Sequence, residues 1–244
     1  MSSAPRIYLP QASAAGTRLP LDDNNATHLL RVLRMTEQDA VLVFNGRGSE
    51  FAARLCDVQK KSAAVELQQC LRQEPPLRLA LHLGQVVSKG DRMDFTIQKA
   101  TELGISDITP LWSERCEVRL KGERLDKKME HWRNVAVAAC EQSGRTWVPE
   151  IHQPVHFLDW TSARQEDVRL LLHPHQQKPL RDYAQPDAIA LLVGPEGGFS
   201  DTEVEQALQA GFAGLTLGPR ILRTETAALA ALSVLQFQWG DFSA

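Results

Sequence analysis

Residues 191–207 read LLVGPEGGFSDTEVEQA. An apolar run stops at Gly194 and a turn rich in glycine and proline follows. Ser200 then opens a helix, with Glu203 three residues on at the spacing of a capping box. Strand, turn and helix form the repeating unit of an α/β domain, and ligands of such domains sit beyond the carboxyl ends of the strands. The turn is not a phosphate loop, because GK[ST] is missing, and it is not a dinucleotide fingerprint, because G-x-G-x-x-G is missing. Glu196 lies inside it, where a carboxylate would repel a polyphosphate. The turn suits a ligand with a cationic or hydroxyl-rich part, although one such turn alone is better explained by strand–helix geometry.

Outward from this stretch the pattern repeats. LRLALHLGQVV (77–87), ISDITPLW (105–112), VRLLLHP (168–174), AIALLVGP (188–195) and GLTLGP (214–219) read as strands. DRMDFTIQKATELG (91–104), RLDKKMEHWRNVAVAACEQSG (124–144), SDTEVEQALQAG (200–211) and TETAALAALSVLQFQW (224–239) read as helices, the first two stopped by Gly104 and Gly144. Alternating strands and helices predict a mostly parallel sheet covered on both faces. The last helix has too many apolar positions for a solvent face, so it is core or subunit interface.

Residues 1–72 have another rhythm. AVLVFNGRGSEFAARLCDV (40–58) is two extended runs joined by Asn45-Gly46-Arg47-Gly48, a hairpin, and SAAVELQQCL (62–71) is a third run. DDNNATHLLRVLR (22–34) reads as a helix with Leu29, Leu30, Val32 and Leu33 on its apolar side. Short strands with turns predict a small β-barrel, and RQEPPLR (72–78) reads as a linker. The expected domains are 1–72 and 73–244.

The bulk numbers narrow the function classes. The chain has 244 residues, 43% of them hydrophobic and 23% charged, with a net charge of −3. No global field points to nucleic acid, though 1–72 carries +2 and the remainder −5. A local basic excess spans Arg115–Arg133. No signal peptide or membrane span is expected. Cys56, Cys70, Cys116 and Cys140 are widely spaced and read as reduced, buried thiols of a cytoplasmic protein. His173-Pro174-His175 has no third ligand at a recognisable spacing, so no metal is expected.

Three strands end in unusual turns: LLLHPHQ (170–176), LLVGPEGGFS (191–200) and LTLGPRILRTETA (215–227). If those strands are neighbours, the three turns form one pocket. In the third, Arg220 and Arg223 lie beside the start of a helix at Thr224, an anion site unless they pair with Glu196 or Glu225.

Taken together, RIYLP (6–10), HLLRVLR (28–34), KGDRMDFTIQKATELGISDITPLWSERCEVRL (89–120), WRNVAVAACEQSGR (132–145), LLVGPEGGFSDTEV (191–204) and LGPRILRTETAALAAL (217–232) resemble the RsmE family of the SPOUT superfamily across nearly the whole chain. These are S-adenosyl-L-methionine-dependent methyltransferases acting on uridine N3 of small-subunit ribosomal RNA. The resemblance implies an α/β SPOUT domain with a C-terminal trefoil knot and mostly parallel sheet, plus a small N-terminal PUA-like β-barrel that binds RNA. It implies a homodimer, a cofactor held by the three loops, and 16S rRNA in the small ribosomal subunit as partner, with no membrane and no metal. The implied cofactor residues are Leu172, His173, Gly194, Pro195, Glu196, Gly197, Gly198, Leu217, Gly218, Ile221, Leu222, Thr224 and Ala227. The implied RNA contacts are Arg6, Arg31, Arg34, Lys89, Arg92, Arg115, Arg119, Arg145 and Arg220.

Arg223 and Glu225 are the catalytic candidates. Uridine N3 must lose its proton before it attacks, by transfer to a base or with a cation stabilising the anion. Glu225 stands at a helix start, where the dipole favours the carboxylate and makes it a reluctant base. Arg223, aimed at a uracil oxygen, is the better candidate, with Glu225 orienting it or holding the cofactor side. Two other readings stay open: a phosphate- or NAD-dependent α/β enzyme, and an RNA-binding assembly factor that keeps the fold without transferring a group.

Overall fold

The computed structural model describes residues 4–173 and 179–242. The chain divides into two compact units, one of residues 1–76 with 140–148 and the other of residues 77–139 with 149–244. Residues 140–148 thus pack with the first unit although they lie far along the chain.

In the first unit, strands β1 (Arg6–Tyr8), β2 (Arg18–Pro20), β3 (Ala40–Phe44), β4 (Ser49–Cys56) and β5 (Ala64–Gln73) form one sheet in the order β1-β3-β4-β5-β2. β1 runs parallel to β3 and the other pairs are antiparallel. The β3–β4 hairpin is the expected one. The Asn45 side chain accepts from the backbone N–H groups of Arg47 and Ser49 at 2.8 and 3.1 Å, which closes the turn locally. Alternation along β3 and β5 sends Val41, Val43, Val65 and Leu67 into a core with Ile7, Leu29, Phe51 and Leu55.

The helical segment departs from expectation. Helix α1 (Asp23–Ala26), capped by Asp22, widens into π-helical turns over Thr27–Val32. Widening changes the angular step between residues, so side chains one turn apart no longer share a face. Leu29 is buried and Leu30 packs partly against the core, while Val32 and Leu33 stand exposed rather than lining the apolar side. Cys70 is a second departure: it is exposed on β5, whereas Cys56, Cys116 and Cys140 are buried, and all four are free thiols.

In the second unit, β6 (Ala80–Val86), β7 (Asp107–Trp112), β8 (Glu150–Ile151), β9 (Val155–His156), β10 (Val168–Leu172), β11 (Ala188–Val193) and β12 (Ala213–Leu215) make a sheet ordered β12-β10-β11-β6-β7-β8, with β9 also on β7. Every pairing is parallel. The central strands are mostly apolar because both faces are covered, and Leu81, Leu83, Leu170, Ile189 and Leu192 have no accessible surface. The covering helices are α2 (Arg92–Glu102), α3 (Glu123–Ser143), α4 (Phe157–Ser162), α5 (Asp201–Gln209) and α6 (Thr224–Trp239). α2 and α6 pack against one another. Among the described residues of this unit, β8, β9, α4 and a 3-10 turn at Leu180–Asp182 were not anticipated: strands of two residues and helices of three and six are too short to show a period.

Candidate active site

The order β12-β10-β11 makes neighbours of the three strands with unusual turns. Leu172 is in register with Leu215, and Leu171 with Leu192, so the three carboxyl ends are level. Their turns converge on a cavity of about 640 Å³. Of the thirteen expected cofactor residues, all but Leu217 and Gly218 line it, together with Arg223. Those two line an adjoining cavity of about 300 Å³, which shares Leu172, His173, Ile221, Leu222 and Ala227 with the first and also includes Arg220. Pro174 and His175 lie outside the described residues.

Local sequence explains why the middle turn stays open. At Ser200 both halves of the capping box form: its hydroxyl accepts from the Glu203 N–H at 3.3 Å, and the Glu203 carboxylate accepts from the Ser200 N–H at 2.9 Å. The second Glu203 oxygen accepts from the Glu114 N–H at 2.8 Å. The Arg115 guanidinium donates to the carbonyls of Gly197 and Phe199 at 2.9 and 3.3 Å. Gly198 has φ +68°, and no atom lies within 4 Å of where a Cβ would point. A β-branched residue would be strained there and would fill the space left for a ligand. Gly194 differs, since a Cβ there would meet the Phe199 ring at 3.0 Å.

The third turn is fastened from inside. The Thr224 hydroxyl donates to the Gly194 carbonyl at 2.6 Å and accepts from the Gln85 amide at 2.9 Å, tying the start of α6 to the ends of β11 and β6. Gln85, Val193 and Phe199 were missed in the sequence; their apolar or neutral types inside a strand or turn carry no chemical signal.

The charges are distributed unevenly. Arg92, expected to contact RNA, lines the 640 Å³ cavity, pairs with Glu196, and has its Nε 4.0 Å from Glu225 Oε1. Glu225 therefore lies beside Arg92, the cation that faces its carboxylate. Its side chain is 14% exposed, and its buried Oε2 has no hydrogen-bond partner among the described residues. Arg223 is exposed at the cavity rim.

The other expected RNA contacts are scattered. Arg115 is held by the glycine turn as above, Lys89 pairs with Glu117, and Arg119 and Arg220 are exposed. In the first unit, Arg31 shares a cleft of about 240 Å³ with Lys60 and Lys61, and exposed Arg34 has φ +55°. Arg6 is different in kind. Its side chain is 9% exposed, lies over the Phe44 ring, pairs with Glu50 and donates to the carbonyls of Cys140 and Arg145. That guanidinium is fully engaged inside its unit, where it anchors residues 140–148. Arg145, whose carbonyl it meets, is half-buried in the same unit.

Metal-capable groups meet elsewhere. Asp107, Glu150 and His152 bring one ligand atom each within 4.8 Å of one another, near the amino-terminal ends of β7 and β8. Asp107 is already hydrogen-bonded to both His82 and His152 there. Among the described residues no helix is long and apolar enough to cross a membrane.

Two family models match the chain: an RNA methyltransferase domain over residues 74–236 and an RNA methyltransferase PUA domain over residues 21–68. The chain is 36% identical over 243 residues to a ribosomal RNA small subunit methyltransferase E of Buchnera aphidicola, covering 98% of each. It is similar to a methyltransferase from Legionella pneumophila solved with its cofactor SAM bound (TM-score 0.93, 44% identity, 98% of this chain and 99% of that one). It is also similar to a ribosomal RNA small subunit methyltransferase E from Neisseria gonorrhoeae bound to S-adenosyl methionine (TM-score 0.90, 39% identity, 98% and 99%). The expected architecture of a parallel α/β methyltransferase domain beside a PUA domain agrees with these matches. With 98% of its length covered and the three-loop cavity in place, the chain belongs to the ribosomal RNA small subunit methyltransferase E family of RNA methyltransferases.

Proposed function

We propose that the protein transfers a methyl group from S-adenosyl-L-methionine to N3 of a specific uridine in 16S rRNA, in the small ribosomal subunit, as a cytoplasmic homodimer. Residues 1–72 engage RNA and residues 73–244 hold the cofactor and perform the transfer. The observation that carries this reading is the convergence of three level strand ends on one cavity built for a non-phosphate ligand. The cavity has open space at Gly198, a carboxylate at Glu196 and apolar walls at Leu172, Ile221 and Leu222. That combination fits an adenine, a ribose and a sulfonium cation, and both solved relatives cited above contain this cofactor.

When bound, the cofactor supplies an electrophilic methyl group. The chain's residues do the rest. Gly198 lets backbone approach the ligand, Gly194 makes room for the Phe199 ring, and Thr224 holds the two turns in register. Arg223 at the rim offers a cation to the charge that spreads over the uracil oxygens as N3 loses its proton. The decisive assay supplies labelled cofactor to small subunits lacking the modification and to free 16S rRNA, then digests the RNA to nucleosides. Label is expected in N3-methyluridine. Tight RNA binding without label would leave a non-catalytic assembly factor.

A further inference from the structure

A second cavity, of about 670 Å³, opens beside the cofactor cavity and is lined by Lys89, Gly90, Asp91, Arg92, Phe95, Glu225 and Thr226. Arg92 belongs to both linings. A methyl acceptor must reach the donor, so a cavity sharing a wall with the cofactor site is where an acceptor base has to enter. Phe95, on the first turn of α2, is 46% exposed, unusual for a large aromatic beside charged groups. Glu225 lines this cavity with its Oε1 4.0 Å from Arg92 Nε, while its other oxygen, Oε2, is buried with no hydrogen-bond partner among the described residues. A carboxylate flanked by cations and an exposed ring is the chemistry that reads an unstacked base: the ring takes the face and the polar groups take the edge.

We infer that this second cavity receives the target uracil, with Phe95 stacked on its face and Glu225 facing its N3–H, and that Glu225 makes the enzyme choose uracil over cytosine. The inference rests on the uridine-N3 reading above. Uracil's edge presents acceptor, donor, acceptor at O4, N3–H and O2. The cavity presents a carboxylate acceptor at Glu225 with guanidinium and ammonium donors at Arg92 and Lys89. Cytosine has a lone pair at N3, which a carboxylate repels, and an amino group where uracil has O4. In the transfer, the N3–H proton goes first to the Glu225 carboxylate, whose low basicity is offset by Arg223 stabilising the uracil anion; the carboxylate then moves off the N3 axis and the in-plane N3 electron pair forms the new bond to the methyl carbon. The carbon–sulfur bond breaks with its pair left on sulfur. The products are N3-methyluridine, the thioether and a protonated Glu225, which returns its proton to water. Cytosine needs no deprotonation at N3 and is excluded only by the mismatch with the carboxylate.

The test combines two variants with small subunits carrying either uridine or cytidine at the target. Phe95→Ala should weaken RNA binding, read by filter binding with the demethylated cofactor present, by roughly tenfold to a hundredfold. Phe95→Trp should retain it, and calorimetric cofactor affinity should not change in either. Glu225→Gln can turn its amide to donate to N3, so it should lose uridine transfer and, in the same filter assay, lose the wild-type preference for uridine over cytidine at the target. If Phe95→Ala keeps its RNA affinity but changes the sedimenting species, Phe95 serves a protein contact and the inference fails. It fails too if Glu225→Gln binds cofactor but keeps the wild-type preference for uridine over cytidine. A wild-type enzyme that forms no N3-methyluridine would instead sink the function proposed above.

Discussion

At the scale of single residues, Arg223 and His82 show two different uses of charge. Arg223 precedes α6 in extended backbone and stands exposed at the rim of the three-turn cavity. Its proposed target is negative charge on the acceptor, because the cofactor's sulfonium would repel it. Arg223→Ala should therefore keep cofactor affinity and assembly while lowering the single-turnover rate by roughly a hundredfold or more, the scale of one lost preorganised donor. Raising the pH should partly rescue it, since more substrate is then already deprotonated. A single-turnover pH profile at saturating RNA decides this, and a near-wild-type rate would remove Arg223 from the chemistry. His82, by contrast, is structural. Its Nε2 lies 3.0 Å from Asp107 and its Nδ1 2.5 Å from Glu166. Hydrogen bonds to Asp107 and Glu166 outweigh its desolvation and push its pKa up to about 9. Burial alone would raise the Asp107 and Glu166 carboxyls, but bonds from His152 and His82 hold Asp107 well below its usual range, and a bond from His82 holds Glu166 at about 2. A raised histidine stabilises the fold fully below its unfolded value near 6.5, and that contribution is lost as pH rises through about 9. The carboxylates contribute above about pH 4 and lose their effect in acid. The wild-type Tm advantage over His82→Gln should thus shrink between pH 6.5 and 9. A calorimetric difference that stays constant over that range would show the histidine is not charged in the fold.

At the scale of elements, the strand–turn–helix over 188–209 was the most legible part of the chain. Its signals are local: a continuous apolar run, a glycine turn, and Ser200 with Glu203 at cap spacing. The three-turn pocket was legible only conditionally, because strand order depends on long-range pairing that no local pattern encodes. Residues whose roles depend on such pairing were correspondingly hidden. Gln85 reads as one polar residue in a strand, yet it fastens Thr224 across 139 positions. Arg92 reads as a basic helix start, yet it faces Glu196 across 104 positions. The π-helical widening after α1 was also illegible, since Val32 and Leu33 fit an α-helical face on paper. The middle turn carries its own prediction. Gly198→Val places a β-branched residue at φ +68° in the open space of the cavity. Cofactor binding should become undetectable by calorimetry while circular dichroism still reports a folded protein. Unchanged binding in the folded variant would take this turn out of the site.

At the scale of the whole molecule, the apolar surface of α6 is the feature that one chain leaves unfinished. Ala228, Ala231, Leu232 and Leu235 are fully buried on one side of the helix. Val234 remains 41% exposed and Phe237 66% exposed on the same helix, which carries no basic residue in its last turn. Glu225 is the only formally charged residue in its sixteen. A helix so poor in charge is an expensive surface in water and an ordinary one against a second copy of itself. Covering Phe237 is worth about 2 kcal/mol per subunit, and a symmetric pair contains it twice, so about 4 kcal/mol of the association rests on this ring. Phe237→Glu should raise the dimer dissociation constant by about a thousandfold or more. Sedimentation at micromolar concentration should then show the wild type near twice 27.2 kDa and the variant near 27.2 kDa. Activity adds the second half of the test. If dimerisation completes the site, the Phe237→Glu monomer should bind cofactor but transfer slowly, with activity returning at concentrations that restore the dimer. A wild-type chain that sediments as a monomer with full activity would defeat the assembly proposal and leave the exposed face of α6 to some other partner.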